Sequence, residues 1–165
     1  MPVQFHPSNP YKQLENIITK KNGTPLYGEI VIYRKLWDDL DASETDWHVW
    51  HDISFPRHSS KYNPKKKNEC QLDFLILHNQ GFLVIEVKGG NVITENNSFF
   101  YEKNGIKTRM QNPFEQAKGY KYTLKDEIFQ QVKTCLFCEA VAFPAVTYQF
   151  ETELFDQSKL WTGHN

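Results

Sequence analysis

Three residues open the chemistry: Asp73, Glu86 and Lys88, the acid and basic groups of the segment Cys70 to Lys88. The segment reads as two strands, Gln71–Leu77 and Phe82–Lys88, joined by a turn at His78-Asn79-Gln80-Gly81. With the turn centred between Asn79 and Gln80, an antiparallel ladder pairs Leu77 with Phe82, Leu75 with Val84 and Asp73 with Glu86. Directly opposed residues share a face, and Lys88 lies two residues further along it. Two carboxylates facing each other across a sheet repel, and a divalent cation between them removes the repulsion. Hard oxygen ligands favour Mg²⁺ or Mn²⁺ over zinc. Such an ion typically keeps positions for water and phosphate oxygens, while Lys88 is suited to orient the water or stabilise charge on a phosphorane. The chemistry such a set of groups suits is phosphodiester hydrolysis.

Other elements must position these groups. A helix from about Gly28 to Leu40 carries Tyr33, Leu36 and Leu40 on one apolar stripe, with Glu29 on the same stripe one turn before Tyr33. A helix-start acid favoured by the macrodipole is the alternative for Glu29. Trp47 to Phe55 is the next strand, and His48 and His51, three apart on it, point to opposite faces. They are read as structural or as substrate contacts. The basic run Arg57, His58, Lys61, Lys65, Lys66 and Lys67 follows, either a solvated loop or, from its place beside the carboxylates, a phosphate-contacting one. Gly89-Gly90 ends the Glu86 strand, and Asn91–Glu95 with Phe99–Lys103 forms a further hairpin, with Asn104-Gly105 as the next turn. Asn112-Pro113-Phe114-Glu115 starts a second long helix, expected to reach Val132 with Gln116, Tyr120, Leu124 and Ile128 on its buried line. A last strand is expected near Glu139–Tyr148.

The element order, helix, three or more strands, helix and strand, predicts an α/β fold with a mixed central β-sheet flanked by helices. Glu29, Asp73, Glu86 and Lys88, with Gln116 as a fifth, can then converge on one sheet edge. Residues 1–27, with a short helix over Tyr11 to Lys20, form an N-terminal preamble; 28–148 form the domain; 149–165 are a tail or shortened linker. No repeats or low-complexity tracts occur.

At 165 residues the chain suits one domain with a real core. A net charge of −1 gives no global attraction for nucleic acid, so such binding must rest on local patches, and an aromatic share of 15% leaves rings available for it. Three cysteines do not make a disulfide framework and suit a reducing cytoplasm; Cys135 and Cys138, a lone CxxC, are expected to be buried and structural rather than a zinc or redox site. The apolar runs are strand-length, so no membrane span is expected.

At these residues the chain resembles the PD-(D/E)xK, or restriction-endonuclease-like, nuclease superfamily, and within it the nuclease-related domain, NERD. Asp73 and Glu86-Val87-Lys88 match the D…ExK signature. Gly28-Glu29, Gln71-Leu72-Asp73-Phe74, Gly81 to Gly89 and Asn112-Pro-Phe-Glu-Gln116-Ala match NERD stretches, and Gln116-Ala-Lys-Gly-Tyr120 fits the QxxxY element of RecB-like nucleases. Leu72 stands where the superfamily's proline would precede the acid, as is usual for NERD-like sequences. The resemblance spans about Gly28 to Phe143. It implies a restriction-endonuclease-like core and a Mg²⁺- or Mn²⁺-dependent DNA nuclease. Asp73, Glu86 and the Val87 carbonyl would be metal ligands, and Glu29 would act at the metal or through its water shell. Gln116 and Tyr120 would contact substrate or position Lys88. It also implies a helicase or ATPase partner, in the same chain or another, and admits a homodimer. The competing class is a non-catalytic nucleic-acid-binding or adaptor module that docks through the basic loop.

Overall fold

A computed structural model describes residues 3–8, 11–41, 43, 45–55, 70–128, 134–146 and 156–163. The elements in chain order are β1 (Gln4–His6), a 3₁₀ turn (Tyr11–Gln13), α1 (Leu14–Ile17), α2 (Tyr27–Asp41), β2 (His48–Phe55), β3 (Cys70–His78), β4 (Gly81–Val87), β5 (Val92–Glu95), β6 (Ser98–Lys103), β7 (Ile106–Met110), α3 (Pro113–Ile128), β8 (Leu136–Phe143), a second 3₁₀ turn (Gln157–Lys159) and β9 (Leu160–Thr162). The main sheet has six strands in the order β1-β2-β3-β4-β8-β9. It is mixed: β2, β3 and β4 pair antiparallel, and β1, β8 and β9 are added in parallel. The chain therefore has the α/β class and mixed sheet that the sequence predicts, compatible with a nuclease-like fold.

Helices cover both faces of this sheet. Ile30, Ile32 and Tyr33 of α2 bury against Val49, Phe74, Ile76 and Val87. On the other face Leu124 of α3, with Tyr120 at its edge, packs on Leu72, Leu75 and Val84. Burial on both faces is why β3 reads Leu72, Phe74, Leu75, Ile76 rather than as a clean alternation. The hairpin turn is tight because Gly81 lies against β8. A Cβ there would stand 2.1 Å from the Leu136 carbonyl oxygen. α3 starts as its sequence directs: the Asn112 side-chain oxygen accepts from the Phe114 N–H at 2.9 Å and the Glu115 N–H at 3.4 Å.

Several expectations change. The hairpin after Gly90 is two strands of a separate three-stranded sheet, β5-β6-β7, turning at Asn96-Asn97 and Asn104-Gly105, each pair at positive φ. Its Val92 and Phe99 pack with Phe114 and Phe143, tying it to the start of α3. In the N-terminal segment the helix is one turn, and β1 joins the sheet edge with Phe5, Leu14 and Ile18 in the main core. Leu160–Thr162, expected to carry no unit, forms an edge strand beside β8. The strand expected at Glu139–Tyr148 runs Leu136–Phe143 instead, and 147–148 lie outside the described residues, as does the expected end of α3 beyond 128. Cys138 is exposed and Cys135 half-buried, not buried as expected. The alternation of β8 turns Glu139 inward, where Lys121 meets it at 2.5 Å and Lys159 at 2.8 Å, and so turns Cys138 out. Those two ammonium groups outweigh the burial of Glu139 and hold its carboxyl below the usual range.

Candidate active site

The sheet is dislocated at Asp73. The β2–β3 register passes from His51↔Phe74 to Ile53↔Leu72, skipping Asp52 and Asp73, and Asp52 has φ +56°. The β3–β4 register ends at Phe74↔Ile85, one pair short of the expected Asp73–Glu86 pair. The hydrophobic alternation breaks at the same point, since Leu72 and Leu75 join one core and Phe74 and Ile76 the other. In place of a ladder partner, the Asp73 carboxylate accepts the Val87 N–H at 2.7 Å. Like charges placed directly opposite each other weaken a ladder at that point.

Asp73 and Glu86 are nevertheless neighbours. Burial, then the Glu86 charge, drives the Asp73 carboxyl well above the ordinary range, against the pull of the Val87 N–H and Lys88. Burial also raises Glu86, opposed by Lys88 and aided by Glu29. Lys88 donates to Glu86 Oε1 at 2.5 Å and to Gln116 Oε1 at 3.1 Å. Burial lowers the ammonium's affinity for its proton, but the Glu86 carboxylate outweighs that and Lys88 ends raised. Gln116 in turn donates from Nε2 to the Tyr120 hydroxyl at 2.7 Å, one turn further along α3. A continuous chain thus runs Glu86–Lys88–Gln116–Tyr120, each member holding the next.

Glu29 enters from the first turn of α2 and meets His51 Nε2 at 2.7 Å. Its field acts on both Asp73 and Glu86. Gly28 brings it there. A Cβ on Gly28 would stand 3.0 Å from Gly89 Cα and 3.3 Å from Val87 Cγ1, so the helix start and the end of β4 touch backbone to backbone. Gly28→Val is expected to cost about 1–3 kcal/mol in urea unfolding. Gly89→Ala, whose Cβ has 3.7 Å to its nearest neighbours, is expected to cost under about 1 kcal/mol; equal losses would remove the close approach as the reason.

Two residues join the site that the sequence did not place in it. His51, expected to be structural or a substrate contact, packs on Phe74 at 4.9 Å and pairs with Glu29. A histidine on the inward face of a strand beside the Asp73 strand was the available signal. Tyr101 of β6 interacts electrostatically with Lys88, Glu86 and Asp73, and burial raises its phenol. It belongs to the second sheet, which the sequence did not separate from the first. His48 is elsewhere, 3.2 Å from His6. Arg57, His58, Lys61, Lys65, Lys66 and Lys67 lie outside the described residues.

The donor set fits a hard divalent cation. Glu86 Oε2 is buried with no hydrogen-bond partner among the described residues. An unpaired carboxylate oxygen of that kind costs free energy unless a cation meets it. Among the described residues no three His, Cys, Asp or Glu side chains gather closely enough to hold an ion by themselves. Magnesium, held by one or two carboxylates with water and phosphate oxygens completing its shell, asks for no more. Asp73 and Glu86 would hold it, with the Val87 carbonyl beside them and Glu29 at the water shell.

Among the described residues no helix is long and apolar enough to cross a membrane. No curated protein and no solved structure matches the chain. The model of the nuclease-related domain, NERD, matches residues 25–144, which span Glu29, the Asp73–Lys88 hairpin and the Gln116–Tyr120 turn of α3. On that match, over most of its length, the chain belongs to the nuclease-related domain family.

Proposed function

We propose that the protein is a metal-dependent DNA nuclease that hydrolyses phosphodiester bonds, using Mg²⁺ or Mn²⁺, and works in the cytoplasm beside a helicase or ATPase domain or subunit. The observation that carries the reading is the unsatisfied Glu86 Oε2 next to the Asp73 carboxylate, with an ammonium already fixed beside them. When bound, the cation would neutralise the two acids and polarise the phosphoryl group. The chain's own residues supply the rest. Lys88, aimed by Gln116, stabilises the charge that builds on the non-bridging phosphoryl oxygens as water attacks. Tyr120 holds Gln116 in that rotamer. Glu29, backed by His51, takes the proton that water loses as the new P–O bond forms, and the old ester oxygen leaves with a proton from solvent.

The test is incubation of the purified protein with single- and double-stranded DNA in Mg²⁺, Mn²⁺ or EDTA. Cleavage is expected with either cation, none in EDTA, and none from Asp73→Ala or Lys88→Ala. DNA binding without cleavage in any cation would instead make the domain a binding module. Cleavage unaffected by both substitutions would place the chemistry elsewhere.

A further inference from the structure

A cleft of about 660 Å³ opens beside the catalytic cluster, between the start of α2, the Gly89–Asn91 corner and β6. It lies within the size range of small-molecule sites, about 300–1,000 Å³. Its floor is shared with the cluster: Glu29 and Val87 line both. Its walls carry two tyrosines, Tyr27 and Tyr101, and two lysines, Lys20 and Lys103. Tyr27 is 65% exposed and Tyr101 is 36% exposed. Lys20 and Lys103 are exposed and in no ion pair among those formed by the described residues. The acid on the wall, Glu102, is engaged by the Asn91 side chain at 2.9 Å. Exposed tyrosines and exposed lysines, on a cleft that runs into the Asp73–Glu86–Lys88 cluster, match the two parts of a nucleotide: base and phosphate.

We infer that this cleft takes an unpaired nucleotide next to the scissile phosphodiester, its base stacked on Tyr27 and Tyr101 and its phosphates met by Lys20 and Lys103, so that the substrate is single-stranded DNA or a frayed end. In a duplex both faces of every internal base are already covered, so tyrosine rings have nothing to stack on until the strand is unpaired. The inference rests on the nuclease reading for the position of the scissile bond, but not for the binding itself. Tyr101 also interacts electrostatically with Lys88, Glu86 and Asp73, so this wall of the cleft adjoins the cluster.

Binding of a fluorescent oligothymidylate and of a blunt duplex of equal length is measured by anisotropy, with Ca²⁺ replacing Mg²⁺ and strand integrity checked on a gel. The single strand is expected to bind at least about tenfold more tightly than the duplex. Tyr27→Ala and Tyr101→Ala should each weaken single-strand binding about tenfold and leave duplex binding unchanged. Tyr27→Phe and Tyr101→Phe, which keep the ring, should stay within about twofold, separating stacking from the phenol's own role and from misfolding. Equal binding of both DNA forms, or tyrosine variants that bind as the parent does, overturns the inference while leaving cleavage by Asp73, Glu86 and Lys88 intact. Tyrosine-dependent single-strand binding without cleavage in Mg²⁺ upholds it and overturns the nuclease reading instead.

Discussion

Asp73→Asn is expected to abolish DNA cleavage, by at least about a thousandfold, while making the metal-free protein more stable. The loss follows from removing one of two carboxylates that would hold the cation. The gain follows from the same burial that makes the site. Burial, then the Glu86 charge, holds the Asp73 carboxyl well above its ordinary range in the folded chain. The folded state therefore binds that proton more tightly than the unfolded one. Its contribution to stability is fully present below the unfolded value, about 3.9, and is lost as pH rises through the raised folded value. As pH rises above the unfolded value, the buried acid therefore adds progressively less to stability than a neutral side chain would. Asparagine keeps an oxygen for the Val87 N–H but carries no charge. A tenfold difference in proton affinity between the folded and unfolded chain is worth about 1.4 kcal/mol. A gain of about 1–3 kcal/mol, several degrees in Tm, is therefore expected at pH 8 in EDTA, shrinking toward pH 5. Calorimetry at the two pH values checks it. Mg²⁺ should raise the Tm of the parent and not that of the variant. A variant less stable than the parent at pH 8 would overturn burial and the Glu86 charge as a net cost of the ionised acid.

Lys88→Met is expected to lose cleavage by about a hundred- to a thousandfold and to move stability the other way. The side chain keeps its length but leaves Glu86, 2% exposed, without its cation. Breaking a buried pair by removing one partner costs about 3–5 kcal/mol where the survivor must stay charged. Here Glu86 can escape by taking a proton. Its carboxyl, already raised by burial, rises further once Lys88 is gone. The lysine itself contributes no pH dependence between about pH 5 and 8. Its raised folded value means that its stabilisation is fully present below the unfolded lysine value, about 10.4. The penalty should therefore be small near pH 5 and approach its full size near pH 8. Urea unfolding at both values measures it. A pH-independent loss would point to packing rather than to the Glu86 charge. Two variants that are both expected to lose cleavage thus separate by the sign of their effect on stability.

Much of this site was legible because its signals are local. The ladder Leu77↔Phe82 and Leu75↔Val84 follows from a two-residue turn, and the cap at Asn112 follows from one asparagine and one proline. Glu29 was legible as an acid on an apolar stripe, and the helix beneath it runs Tyr27–Asp41, close to the expected bounds. What was hidden is non-local. No spacing in the sequence says that β5-β6-β7 leaves the main sheet, so Tyr101 could not be placed beside Lys88. His51 faces away from His48, as expected, but its partner sits 22 residues earlier on a helix. The short parallel edge strands β1 and β9, three residues each, are set by the neighbours they pair with rather than by any pattern of their own.

The dislocation at Asp73 gives the protein a reporter of its own state. In an ordinary sheet the Val87 amide would face a carbonyl, whose charge never changes. Here it faces a carboxylate oxygen. Its nitrogen and proton resonances, and the rate at which it trades hydrogen for deuterium, must follow whatever Asp73 holds at that moment: a proton, a cation or nothing. One isotope-labelled valine, in the strand between Glu86 and Lys88, therefore reports the charge at Asp73 without any substrate being turned over.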